Sequence, residues 1–327
     1  SSAASDVYKR QLRIYRYAIT ANLSRLFFSD FAIMRLTFLF LLVLFAVFGD
    51  NDKMKISKKL MMSSLAASVI AVGATGCSTT TDTGAIGVDR NQLLVVSDQQ
   101  VQQLSKQAFQ QEIAAARAKG LLDTNPAQLA RLQKISQRLI AQTGAYRSDA
   151  RQWAWEVHVI KNNELNAHVL PGGKIVFYSG IIDRLSLTDA EIAAIMGHEM
   201  AHALREHTRE RLSRDVATQT GIGIAASVLG LSQGQAQLVG LAGDLGISRP
   251  NSRTQETEAD LMGLELMARA GYDPNAAVSL WRKMQSAGGR GEPPQFLSTH
   301  PVSSTRIATI QSLLPRVMPL YQQSRYR

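Results

Sequence analysis

Polar and apolar positions alternate with two different periods along this chain, and the changes of period divide it into elements. Ser97 with Gln100 forms a capping box that opens a helix running to about Ala118, and Gly120 ends it. Pro126 opens a second helix to about Gln142, with Leu129, Leu132, Ile135, Leu139 and Ile140 on one face. The period then drops to two. Trp153 to Val159 alternates as a half-buried strand, with His158 on the polar Glu156 face. Asn166 to Leu170 reads as a second strand, Pro171-Gly172-Gly173 as a turn, and Lys174 to Tyr178 as a third strand. Helical spacing returns at Thr188, which caps with Glu191, and the pattern predicts a helix from Asp189 to about Arg214. Ser252 with Gln255 caps a further helix to about Ala270, closed by Gly271 and Pro274. The expected fold class is α+β, predominantly helical, with a small β-sheet.

The first 96 residues follow other rules. An apolar run from Leu36 to Gly49 is shorter than the ~20 residues of a spanning helix. A complete export signal then begins at Met54. Lys55, Lys58 and Lys59 are its positive region, Leu60 to Gly73 its apolar region, and Ala74-Thr75-Gly76-Cys77 its small-residue cleavage site. Residues 1–53 are therefore read as upstream sequence translated in error, the rival reading being an N-terminal membrane anchor. The cleavage site resembles the bacterial lipoprotein processing box, with Ala74 where Leu is more usual. That resemblance makes Cys77, the single cysteine, a lipidation site, and Ser78 after it suggests the outer membrane. Residues 54–76 are then a lipoprotein signal peptide. Residues 77–96, rich in Thr, Gly and Asp, read as a flexible tether reaching about 25 Å.

Charge sharpens this division. The chain carries a net charge of +10, of which residues 1–76 hold +6 and residues 77–327 only +4. The body is near balance and its Lys and Arg are dispersed, so no nucleic-acid partner is expected. One stretch, Val216 to Gly243, has no charge at all and is rich in Gly, Ala, Ser and Gln. With its flanks, 216–250 reads as a lid-like insertion or a buried helical hairpin. Residues 97–327 are expected to form one domain.

The chemistry lies in the helix that starts at Asp189. His198 and His202 stand four apart, on one face, and two neutral imidazoles at that spacing bind one Zn²⁺. Glu199 stands beside them as a general base, completing His-Glu-x-x-His. A catalytic zinc takes three protein ligands and keeps one position open. The helix from Ser252 offers Glu256, Glu258, Asp260 and Glu265. Glu258, Met262, Glu265 and Arg269 share a face with helical charge neighbours and read as solvated. Glu256, Asp260, Gly263, Leu264 and Met267 share the inward face. A carboxylate pair there is costly to bury without a cation. Glu256 is thus the expected third ligand, with Asp260 accepting an N–H from a ligating imidazole, and Glu258 is the alternative. His207, about 140° round from His202 on a continuous helix, reads as a surface or supporting residue. Glu206, Arg209, Glu210 and Arg214 read as a solvated face.

His198-Glu-x-x-His202 followed by Ser252-Arg253-x-x-Glu256-x-x-Ala259-Asp260 resembles the HtpX-like and prenyl-endopeptidase zinc proteases, metallopeptidase family forty-eight. The resemblance runs from about Ser97 to Arg316. It implies a zincin-like (gluzincin) domain with one Zn²⁺ per chain. Asn166, Ala167, His168, Val169 and Leu170 resemble the strand that the family places along its cleft, so they are the expected substrate-binding segment, with His168 standing where an aromatic is more frequent. Thr299-His300-Pro301 with Arg306-Ile307 resembles a C-terminal family motif and makes His300 a candidate donor to the oxyanion. Membrane helices typical of several members are missing after Cys77, which points to the periplasmic lipoprotein branch.

Together these readings predict a zinc endopeptidase that cleaves unfolded or misassembled envelope proteins. It would be tethered to the outer membrane through Cys77 and could work beside an outer-membrane protein partner. The alternative is an envelope assembly factor or chaperone with latent proteolysis.

Overall fold

A computed structural model describes residues 77–228, 250–288, 295–301 and 303–325. Residues 1–53, the signal segment 54–76 and most of the expected lid fall outside the described residues. The described body is mostly helical, with a small mixed sheet of three strands and a two-stranded ribbon.

The ribbon pairs β1 (Cys77–Ser78) antiparallel with β2 (Gln92–Leu93). Helix α1 (Asp98–Ala118) follows, started by the capping box of Ser97 and Gln100. Its buried side chains, Val101, Ser105, Phe109, Ile113 and Ala116, recur at helical spacing and make one stripe. Helix α2 (Pro126–Ile140) is capped by Asn125 and buries Leu132, Ile135 and Leu139. Pro126 suits the first helical position, because its missing N–H has no partner to lose there.

The three-stranded sheet has the order β3 (Glu156–Ile160), β5 (Lys174–Tyr178), β4 (Ala167–Leu170). β3 runs parallel to β5, and β4 runs antiparallel to it across the Pro171-Gly172-Gly173 turn. β4 therefore lies at one edge. Helix α3 (Ser179–Arg184) leads into α4 (Asp189–Leu204), whose residues from Glu191 to Leu204 are all buried. An all-round buried helix forms the middle of the domain, and the others surround it. Helix α5 (His207–Val228) comes next. Helices α6 (Arg253–Arg269), α7 (Asn275–Ala287), α8 (Gln295–Thr299) and α9 (Ser304–Arg325) complete the described body. Among the described residues no helix is long and apolar enough to cross a membrane.

Helices α4 and α6 meet at two glycines. A Cβ on Gly263 would lie 2.7 Å from the backbone N of His198, and one on Gly197 would lie 3.0 Å from the carbonyl oxygen of Gly263. The missing side chains let the two backbones approach until residues on either helix share one centre.

Two expectations need correction, and a third lies mostly outside the described residues. The helix expected to reach Arg214 stops at Leu204, turns at Glu206 with φ 52°, and restarts at His207. No glycine marks the turn, so the sequence carries no signal for it. The segment read as a flexible tether is packed onto the body. Ile86 and Val88 join the main core, and the backbone N–H groups of Ala85 and Ile86 donate to the carboxylate of Glu265 at 2.9–3.0 Å. Its many Thr and Gly residues suit tight turns as well as slack. The first part of the uncharged stretch, to Val228, continues α5 as helix, and the remainder lies outside the described residues.

Candidate metal centre

The capping box of Thr188 and Glu191 fixes where α4 begins, and so which residues share its inner face. His198 and His202 are one turn apart on that face, with their Nε2 atoms 3.1 Å apart. Helix α6 supplies Glu256. Its Oε1 lies 3.3 Å from His202 Nε2, and its Oε2 lies 3.5 Å from His198 Nε2. His300, directly after α8, turns Nδ1 to within 3.2 Å of His198 Nε2 and 2.8 Å of Glu256 Oε1. One atom from each of these four buried residues lies within 4.8 Å of the rest. Glu199 is buried alongside, its Oε1 3.2 Å from His300 Nε2.

Each imidazole of α4 is aimed by its far nitrogen. His198 Nδ1 lies 3.0 Å from Asp260 Oδ1. Arg306 holds Asp260 through Nη2 at 2.8 Å, places Nη1 2.7 Å from Glu256 Oε2, and stacks its guanidinium 3.8 Å over Trp281. His202 Nδ1 lies 2.8 Å from His207 Nδ1, and His207 Nε2 lies 2.9 Å from Glu258 Oε2. Both Nε2 atoms thus face the centre.

The protein atoms alone do not satisfy this arrangement. Glu199 Oε1 and Glu256 Oε2 are buried beside His300 Nε2 and Arg306 Nη1, at 3.2 Å and 2.7 Å, yet neither oxygen accepts a well-directed hydrogen bond. Three imidazole nitrogens meet at about the spacing of ligands round one ion. Burial opposes charge on His198, yet hydrogen bonds to Asp260 and Glu256 outweigh it and raise its pKa to about 9. Burial pushes His202 well below its ordinary value. Burial opposes the Glu256 carboxylate too, but His300 and Arg306 hold its pKa well below the usual range. A carboxylate and imidazoles with no thiolate fit a divalent ion such as zinc, which would take the place of the proton on His198.

Several expectations fall differently. Glu258, Met262 and Glu265 are buried, not solvated, because the segment after β1 covers that side of α6. Glu258 faces His207 rather than the centre. Glu206 and Glu210 are also buried, on Arg147 and on Arg90. Of the two places expected for His207 the supporting one holds: it is 1% exposed against His202, since the break after Leu204 removes it from the continuous helix on which its direction was reckoned. His158 is partly buried and pairs with Asp123. His168 points to Glu112 of α1, with 3.1 Å between Nε2 and Oε2, and is not among the four converging residues. Asn166, Ala167, Val169 and Leu170 are buried with it, in and just before the edge strand. Arg306, buried against three members of the site, was visible only as part of a resembling motif, and Trp281 carried no signal beyond an apolar position.

Two imidazoles and a carboxylate from a second helix are the donor set of a metal-dependent hydrolase. The family model for Peptidase family M48 matches residues 126–314, more than half of the chain, and the chain belongs to that family. Among curated proteins it is similar to the mitochondrial metalloendopeptidase OMA1 of Schizosaccharomyces pombe, 40% identical over 185 residues, which is 56% of this chain and 52% of the relative. It is 36% identical over 178 residues to OMA1 of Saccharomyces cerevisiae, covering 52% of this chain and 50% of that protein. It is also 29% identical over 174 residues to the beta-barrel assembly-enhancing protease of Escherichia coli, covering 51% of this chain and 36% of that protein. The match spans about half the length of the OMA1 proteins.

Proposed function

We propose that this chain is a zinc-dependent endopeptidase of zincin-like (gluzincin) type, with His198, His202 and Glu256 as the metal ligands. The observation that carries the reading is the convergence of these residues, from α4 and α6, on one point. Zinc held there supplies a Lewis acid that polarises a peptide carbonyl and acidifies water. Glu199 accepts the proton of the attacking water and passes it to the leaving amine. Asp260 and Arg306 hold His198 in register, and Arg306 also steadies Glu256. His300 is a donor for the developing oxyanion. In the present geometry its Nδ1 lies 2.8 Å from Glu256 Oε1 and its Nε2 lies 3.2 Å from Glu199 Oε1.

Substrate is proposed to add along β4, whose place at the sheet edge leaves one side of the strand without a partner strand among the described residues. Main-chain pairing tolerates many sequences, which suits unfolded polypeptide. Placement in the bacterial envelope, through acylated Cys77, rests on the export signal and processing box in the sequence. The mitochondrial name of one set of relatives stands against it, and the β-barrel name of the other stands with it.

The test is metal analysis of the purified protein combined with casein digestion with and without a chelator. About one zinc per chain and chelator-sensitive cleavage are expected. Bound zinc without cleavage under any condition would favour the assembly-factor reading. Absence of bound metal would remove the protease reading.

A further inference from the structure

His202 is aimed by another imidazole, not by a carboxylate. We propose that His207 is a positioning residue that fixes His202 in the tautomer with a bare Nε2. The inference rests on the reading of His202 as a metal ligand.

With both buried imidazoles neutral, the contacts leave one consistent arrangement of protons. Arg90 donates to both oxygens of Glu258, from Nε at 2.8 Å and from Nη2 at 2.9 Å, so that carboxylate is a pure acceptor. Glu258 Oε2 is 2.9 Å from His207 Nε2, which must then carry the hydrogen. The two Nδ1 atoms of His207 and His202 are 2.8 Å apart, a distance that requires one hydrogen between them. With that hydrogen on His207, whose Nε2 already carries one, the ring would be a buried imidazolium and His202 would carry its proton on Nε2, where it could not bind a cation. With it on His202, the contacts of Glu258, His207 and His202 Nδ1 are all satisfied, and the bare Nε2 faces Glu256 Oε1 at 3.3 Å and His198 Nε2 at 3.1 Å, acceptors that a shared cation would satisfy. Glu258 therefore sets His207, and His207 sets His202.

The relay begins outside the catalytic helices. Arg90 belongs to the segment between β1 and β2, and its guanidinium forks between Glu258 and Glu210, with Nη1 2.6 Å from Glu210 Oε1. Buried groups that aim a metal ligand in this way typically contribute 10–100-fold to metal affinity.

The test compares zinc affinity of the full chain and two variants by competition with a chromogenic chelator, with circular dichroism and metal-free Tm as controls for folding. His207→Leu fills the space without an acceptor and is expected to weaken zinc binding about 10–100-fold. His207→Asn places an amide oxygen near the position of Nδ1 and is expected to restore most of the loss. Nitrogen-15 spectra of the zinc-loaded parent should show hydrogens on His202 Nδ1 and His207 Nε2. A folded leucine variant with parental affinity overturns the proposal, as does an equal loss in both variants, which would indicate packing alone. Should the leucine variant not fold, a spectrum with the hydrogen on His207 Nδ1 overturns it without any substitution. A parent chain that takes up no zinc removes the metal-centre reading itself, a result distinct from all of these.

Discussion

Glu199 and Glu256 are both buried carboxylates within reach of His300, yet the proposed mechanism gives them different tasks, and substitution separates them. Glu199→Gln preserves shape and removes the base, so zinc content is expected to stay at the parental level while peptide cleavage falls by about 10²–10⁴-fold. Glu256→Ala removes a ligand and is expected to lose zinc on dialysis. Metal analysis and a peptide assay on both variants check the pair, and a cleaving Gln variant would end the general-base assignment. The three α4 residues were readable because a single pentapeptide on a capped helix holds them. Glu256 was readable because its capping box fixed the phase of α6. The roles of Glu258 and His207 were hidden, since a charged helical face reads as solvated unless the covering segment is known, and that segment is distant in sequence.

Elements come together here through absence of side chains. The approach of α4 and α6 depends on Gly197 and Gly263, and any Cβ on Gly263 must displace backbone rather than a flexible tip. Gly263→Ala is expected to cost about 1–3 kcal/mol, read as a Tm decrease of about 2–4 °C per kcal/mol in a domain of this size. Because the same shift parts Glu256 from the imidazoles, zinc affinity should fall too. Calorimetry with and without chelator measures both, and a variant with parental Tm and zinc content would show that the close approach is not needed. Helix starts were the most legible part of the chain, because Ser97, Thr188 and Ser252 each announce themselves by a reciprocal cap. The stop at Leu204 was not legible, because Glu206 adopts a left-handed backbone without the residue types that usually signal it.

At the scale of the whole molecule, ion pairs join parts far apart in sequence. Glu191 caps α4 and also receives Lys283 Nζ and Ser279 Oγ of α7, each at 2.7 Å. Burial opposes its charge, but Lys283, Thr188 and Ser279 outweigh it and lower its pKa from 4.5. A lowered folded-state pKa means that the contribution is full above the unfolded-state value and is lost as pH falls through the folded one. In the metal-free protein, Glu191→Gln is therefore expected to lower Tm at pH 7 and to converge on the parent below about pH 4. Thermal melts across that range check it, and a pH-independent gap would refute the linkage.

The packing of Ala85 and Ile86 against Glu265 has a mechanical consequence. The ribbon begins at Cys77 itself, so no free length separates the proposed acylation point from the body. Acylation at Cys77, if present as proposed, would hold the body close against the lipid surface instead of letting it swing above it. Its reach would then be that of the body itself, carried by lateral diffusion in two dimensions.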